Sequence, residues 1–103
     1  MSNGIQDYRR SNATYASVSL TTSGDVVDLD LRSNTSLFSK VRVAREIVIR
    51  NTYPMYVKFN DVENDPIEVF AREGLSSSGM PIENIYITTV AGCLIRVYMI
   101  GWN

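Results

Sequence analysis

The sequence contains no histidine. That absence removes the commonest general base, the usual partner of a serine or cysteine nucleophile, and the most frequent transition-metal ligand. Cysteine is nearly as scarce. The one copy, Cys93, permits no intrachain disulfide, and its setting in Val90-Ala91-Gly92-Cys93-Leu94-Ile95 reads as a small buried apolar residue rather than a nucleophile. No apolar run approaches the ~20 residues of a membrane helix. The first residues, Met1-Ser2-Asn3-Gly4-Ile5-Gln6-Asp7, lack the charged-then-apolar order of a signal peptide. A surplus of charge is missing too. Ten basic residues against eleven acidic ones leave a net charge of -1. Nucleic-acid binding needs clustered lysine and arginine to neutralise phosphates, so neither nucleic acid nor membrane is expected as a partner.

What is present is β-forming sequence. Hydrophobic residues make up 45% of the 103 positions, enough for one core but not for two. Val, Ile, Thr, Tyr and Phe recur throughout, while helical windows rich in Ala and Leu do not occur. Residues 1–14 are polar and read as an extended N-terminal arm; residues 15–103 read as the folded domain. Ala16, Val18 and Leu20 alternate with Ser17 and Ser19, and Val27, Leu29 and Leu31 alternate with Asp28, Asp30 and Arg32, two strands expected to form a hairpin. Residues 37–45 fit either a helical turn or a strand. Ile47-Val48-Ile49 has an unbroken apolar centre, as expected of a strand buried on both sides. Met55, Val57 and Phe59 mark the next strand, followed by 67–71, 83–90 and 94–100. Glu73 to Pro81, polar and containing Gly74 and Gly79, reads as a flexible loop. About seven to eight short strands imply an all-β, antiparallel β-sandwich or jelly-roll-like barrel.

Candidate chemistry is thin. Asp28 and Asp30 share a strand face at a spacing of ~7 Å that could suit paired carboxylates, but alternation with Val27, Leu29 and Leu31 accounts for them as a wetted face. Asn60 to Asp65 places oxygen-bearing side chains in a turn, the donor type a hard cation prefers, without the central glycine and distal glutamate of an EF-hand. Gly74 and Gly79 lack the following lysine of a phosphate-cradling loop. Hence no enzymatic activity, no metal and no cofactor are expected. The aromatics Tyr8, Phe38, Tyr53, Tyr56, Tyr98 and Trp102 exceed what so small a core can hold, and exposed Tyr and Trp commonly anchor interfaces. Partner contacts are therefore expected at three places: Ile5, Tyr8, Arg9 and Arg10 on the arm, Leu75 and Met80 in the loop, and Phe38, Tyr53 and Trp102 among the aromatics.

The second half carries a pattern. Arg45-Glu46-Ile47-Val48-Ile49-Arg50-Asn51 is a strand ending in Asn, and Met55-Tyr56-Val57-Lys58-Phe59-Asn60 follows it with alternating apolar residues. Pro66-Ile67-Glu68-Val69-Phe70, Glu83-Asn84-Ile85-Tyr86-Ile87-Thr88 and Leu94-Ile95-Arg96-Val97-Tyr98-Met99 complete the series. Over residues 45–100 this order resembles small β-sandwich structural proteins of tailed bacteriophages. It departs from them in having Glu73-Gly74 where they open a loop with Pro-Gly, and the acidic Asn60–Asp65 turn where they have a Gly-rich linker. The resemblance implies a virion component assembled in the host bacterial cytoplasm. A capsid decoration (cement) protein bound to the major capsid protein or another virion protein comes first. Neck, tail or head-fibre components and a carbohydrate- or receptor-binding module are the alternatives. A homo-oligomer, with a trimer as the first expectation, would cover exposed strand edges.

Overall fold

Period-two alternation governs the fold. The computed structural model describes residues 13–24 and 26–102 and contains eight strands and two short helices among them. In chain order these are β1 (Ala13–Thr21), β2 (Val26–Asp30), α1 (Leu31–Asn34), α2 (Leu37–Lys40), β3 (Val43–Asn51), β4 (Met55–Phe59), β5 (Ile67–Val69), β6 (Leu75–Ile82), β7 (Ile85–Val90) and β8 (Leu94–Trp102). They form two four-stranded antiparallel sheets, ordered β1-β8-β3-β6 and β2-β7-β4-β5. Strand β1 pairs with β8, β2 with β7, β3 with β6 and β4 with β5. The chain is thus one long hairpin, with its tip between β4 and β5, wound into the eight-stranded order of a jelly roll.

The expected all-β sandwich is what the chain forms, with several internal corrections. The first two strands make no hairpin: β1 lies in one sheet and β2 in the other. Residues 37–45 hold both expected alternatives, a helical turn in α2 and the start of β3. Glu73 to Pro81 is no loop. Residues 75–82 form the edge strand β6, paired with β3 through Ser76, Ser77 and Ser78. Its serines suit an edge whose outer face meets water, and backbone pairing outweighs their weak strand preference. The arm at 1–14 lies almost wholly outside the described residues, and β1 already begins at Ala13.

The core lies between the sheets. It is built from Ile47 and Ile49 of β3, Met55 and Val57 of β4, Ile85 and Ile87 of β7, and Ile95, Val97 and Met99 of β8. Leu31, Leu37, Phe38 and Val41 of the β2–β3 crossover close one side, with α2 against β1. Cys93 is buried, consistent with its apolar setting. Two asparagines hold the turns. Buried Asn51 donates from Nδ2 to the Tyr53 and Phe70 carbonyls at 2.8 and 3.0 Å and accepts from the Gly74 N–H at 2.9 Å. Asn84 accepts from the N–H groups of Arg32 and Ile85 at 3.0 and 2.8 Å and donates to Asp30 Oδ1 at 2.8 Å.

Register is set near the end of β8. The pairing of β3 with β8 skips Arg45, so Ala44 faces Gly101 and Glu46 faces Ile100. A Cβ on Gly101 would lie 2.0 Å from the Val43 carbonyl oxygen and 2.7 Å from Ala44 Cα. Backbone cannot yield by that much without disturbing the ladder. Gly101→Ala is expected to destabilise the protein by roughly 2–4 kcal/mol. Gly79→Ala, where φ is +88° but nothing lies within 4 Å, is expected to cost about 1 kcal/mol. Urea midpoints of the two variants should separate them in that order, and equal midpoints would refute the close-approach account.

Candidate functional site

Each sheet turns one face to the core and one outward, so the outward residues are those the core does not use. On the sheet β1-β8-β3-β6, three cross-strand rows face out. Tyr15 pairs with Ile100, which pairs with Glu46; Ser17 with Tyr98 and Val48; Ser19 with Arg96 and Arg50. Tyr15 is 76% exposed, Tyr98 49%, Ile100 46% and Val48 39%. Four apolar or aromatic side chains on adjacent strands form a continuous patch, unlike the scattered exposed apolar residues common on any surface. Ile47-Val48-Ile49 was expected to be buried on both sides; instead Val48 belongs to this patch while its neighbours fill the core.

The charges beside the patch are unusual. Arg96 and Arg50 face each other directly across β8 and β3. Like charges at opposed positions cost a sheet roughly 0.2–1 kcal/mol rather than stabilising it. At the other end of β8, the Arg45 guanidinium lies 5.0 Å from the centre of the Trp102 ring, a cation–π contact made possible by the bulge. Glu46 is the one carboxylate in these rows.

The outward face of β2-β7-β4-β5 has the opposite character. Asp28 pairs with Thr88, which pairs with Tyr56, which pairs with Glu68; Asp30 pairs with Tyr86, which pairs with Lys58. Asp28, Asp30, Tyr56, Lys58 and Tyr86 border a shallow groove of about 250 Å³. Thr88 Oγ1 donates to Asp28 at 2.7 Å, and Lys58 Nζ donates to the Val62 carbonyl at 2.8 Å. Asp30 also serves the fold. It caps α1 by accepting from the Ser33 N–H at 3.3 Å, and the Asn84 amide, with Ser33, holds its carboxyl below the usual carboxylate range against the opposing effect of partial burial. Asp28 and Asp30 thus border one groove, each with hydrogen-bond partners of its own, and alternation with Leu29, partly buried against the core, explains their placement.

The expected contact residues are dispersed. Ile5, Tyr8, Arg9 and Arg10 lie outside the described residues. Phe38, expected among the exposed aromatics, is buried in the core with the Arg32 guanidinium 4.8 Å from its ring centre. Tyr53 is exposed at the end of the sandwich where Asn51 ties the β3–β4 and β5–β6 turns, near an exposed Phe70. Met80 projects from the irregular stretch of β6 opposite the β3 bulge, Leu75 is half-buried, and Trp102 is half-buried under Arg45. Tyr56 and Tyr98, two of the surplus aromatics, are exposed on the two sheet faces, and Tyr15, Val48 and Ile100 join Tyr98 without being among the expected contact residues. A signal for them existed: outward positions of β1, β3 and β8 carry apolar residues where an amphipathic strand would carry polar ones.

Two side-chain oxygens of the Asn60–Asp65 turn are taken up by backbone N–H groups. Asn60, at φ +68°, accepts from the Glu83 N–H at 2.7 Å, and Asp61 Oδ1 accepts from the Glu63 N–H at 2.9 Å. Among the described residues no three His, Cys, Asp or Glu side chains come close enough to share a metal ion.

No family model matches the chain, and no curated protein matches it in sequence. Among solved structures it is similar to a conserved protein of unknown function from Pseudomonas aeruginosa PAO1, with a TM-score of 0.56 at 8% identity over 89% of this chain. The chain spans 42% of the length of that protein. It is also similar to a de novo designed double-stranded β-helix (TM-score 0.44, 8% identity, 84% of this chain and 97% of that one). A cupin superfamily protein from Desulfitobacterium hafniense DCB-2 follows (TM-score 0.35, 13% identity, 86% of this chain and 77% of that one). At these identities the likeness concerns the fold. The fold itself nevertheless corrects one expectation, that the chain is no enzyme. A jelly roll hosts unrelated functions, so its strand layout gives no ground for excluding catalysis, and it assigns no reaction.

The Asp30 geometry yields a pH dependence. A carboxyl whose value is lowered on folding stabilises the native state when ionised, and that contribution fades as pH falls below about 4. Asp30→Asn should therefore be less stable than the parent at pH 7, with the gap between their melting temperatures narrowing as pH drops from about 4 to 2.5. A gap unchanged at the acid end would refute the charge account of this cap.

Proposed function

We propose that this chain is a structural virion protein of a tailed phage, with capsid decoration as its first role, and that it acts by docking on another virion protein. The observation that carries the docking half is the outward patch of Tyr15, Val48, Tyr98 and Ile100 on a rigid four-stranded sheet. Aromatic and aliphatic side chains held at fixed spacing lose little conformational freedom on contact, which is what an interface anchor requires. The virion half draws on the resemblance over residues 45–100, and the jelly roll is an architecture found in viral capsids as well as elsewhere. Carbohydrate binding is a second reading, favoured by the groove that Tyr56 and Tyr86 share with Asp28 and Asp30. Binding on a glycan array that is lost in Tyr86→Ala would support it over docking.

The test is occupancy on purified particles. Tyr98→Ser combined with Ile100→Ser changes only outward side chains, so stability should move by no more than about 0.5 kcal/mol per site. Occupancy measured by quantitative mass spectrometry should nevertheless fall at least about tenfold, a loss of roughly 1.4 kcal/mol in binding. Parent copy numbers in the hundreds would favour decoration, and a dozen or fewer a neck, tail or fibre position. Absence of the parent protein from particles would end the virion reading.

A further inference from the structure

We propose that the two outward sheet faces bind each other between copies of this chain, head to tail, with the Arg50–Arg96 face of one copy seated on the Asp28–Asp30–Glu68 face of the next. The inference rests on the docking reading above and makes a second copy of this chain, itself a virion protein on that reading, the occupant of that patch. Its ground is complementarity in sign, in chemistry and in size. One face carries Arg45, Arg50 and Arg96 against Glu46; the other carries Asp28, Asp30 and Glu68 against Lys58. The net charges of these rows are therefore opposite on a chain whose overall charge is only -1. Each face is four strands wide.

The arginine pair supplies the sharper argument. Arg50 and Arg96 repel each other in the isolated sheet, so a carboxylate brought over them relieves a strain as well as forming an ion pair. The opposite face offers carboxylates next to two tyrosine rings, and a guanidinium can stack on a ring while its edge reaches an acid. In return, Tyr98, Val48 and Ile100 meet a groove of about 250 Å³ whose walls include Tyr56 and Tyr86. Two basic faces meeting each other would bring six arginines together, which disfavours a symmetric dimer through that face.

Size sets the strength. Four strands ~4.8 Å apart and five residues of ~3.4 Å give a flat area on the order of 350 Å² per copy. That is below half of the ~800 Å² per partner in a standard stable interface, so the contact is weak between free copies. Copies held side by side on a surface would make it through their high effective concentration. The contact is heterologous, since the two faces lie on opposite sides of the sandwich. Repeated, it closes into a ring or runs as an open string rather than stopping at two.

The test is sedimentation velocity with the full chain. Average mass should rise with concentration up to about 1 mM at about 50 mM salt, and fall back towards the monomer at about 0.5 M salt, where screening reaches ~4 Å. Arg50→Glu with Arg96→Glu should weaken association at least tenfold, as should Asp28→Lys with Glu68→Lys; the single changes Arg96→Glu and Asp28→Lys repeat the test with less perturbation of the fold. An equimolar mixture of the two double variants should associate again, because each restores a face that the other reversed. A monomer at every concentration, a closed dimer indifferent to either reversal, or a mixture that stays monomeric would each overturn the proposal. Self-association without particle binding would leave this contact standing and remove the virion reading; particle binding sensitive to Tyr98 and Ile100, with no self-association, would do the reverse.

Discussion

The register of β8 against β3 is the constraint on which the rest of the molecule depends. Strand β8 is paired along its length with β1 on one side and β3 on the other, and its residues alternate between two destinations. Ile95, Val97 and Met99 go to the core; Arg96, Tyr98 and Ile100 go to the surface. A slip by one residue would exchange the two sets, burying an arginine and exposing the centre of the core. Gly101, pressed against the Val43 and Ala44 backbone, leaves no room for such a slip in any residue with a side chain at that point. The bulge at Arg45 then re-phases β3, so that Arg45 lies over Trp102 while Ile47 and Ile49 still point inward. Core and surface are consequences of one alignment.

The turns are held by polar groups that leave little unsatisfied. Asn51 and Asn84 each bind backbone groups from two connections, and Thr22 accepts from the Cys93 N–H at 2.9 Å to join the β1–β2 and β7–β8 ends. Among the described residues no buried side-chain nitrogen or oxygen lacks a partner. Ties of this kind each contribute on the order of 1 kcal/mol, and losing one partner of a buried pair costs more than that. Their position matters as much as their strength. They sit in the turns and use none of the outward side chains of β1, β3 and β8, while on the other face Val62 of the β4–β5 turn reaches the groove.

Strand existence was legible because alternation of Ala16, Val18 and Leu20, or of Met55, Val57 and Phe59, is a local signal. Pairing was not, because a jelly roll joins β1 to β8 and β3 to β6 across most of the chain, and adjacent elements such as β1 and β2 part into different sheets. Strand β6 escaped for a related reason. Ser76, Ser77 and Ser78 have little preference of their own, and only the β3 backbone beside them makes the segment a strand. The surface patch was half legible. Tyr98 was counted as surplus to the core, but Ile47-Val48-Ile49 invited the reading of a doubly buried strand. An unbroken apolar triplet has two physical origins, burial on both faces or burial on one with a contact surface on the other. Composition alone does not separate them.

That ambiguity bears on how such a surface can exist at all. An apolar patch strong enough to bind permanently would aggregate during synthesis, and one too weak would do nothing. Here Val48, Tyr98 and Ile100 sit beside two arginines that repel each other across the ladder. On the docking reading, that repulsion penalises contact with another bare face, while a carboxylate-bearing surface removes the penalty and gains the apolar contact together. Specificity on a flat sheet, which offers no deep pocket for shape to act on, then rests on charge placement. On the docking reading, the outward Arg50 and Arg96, which oppose each other in the fold, are the residues that decide what the face accepts.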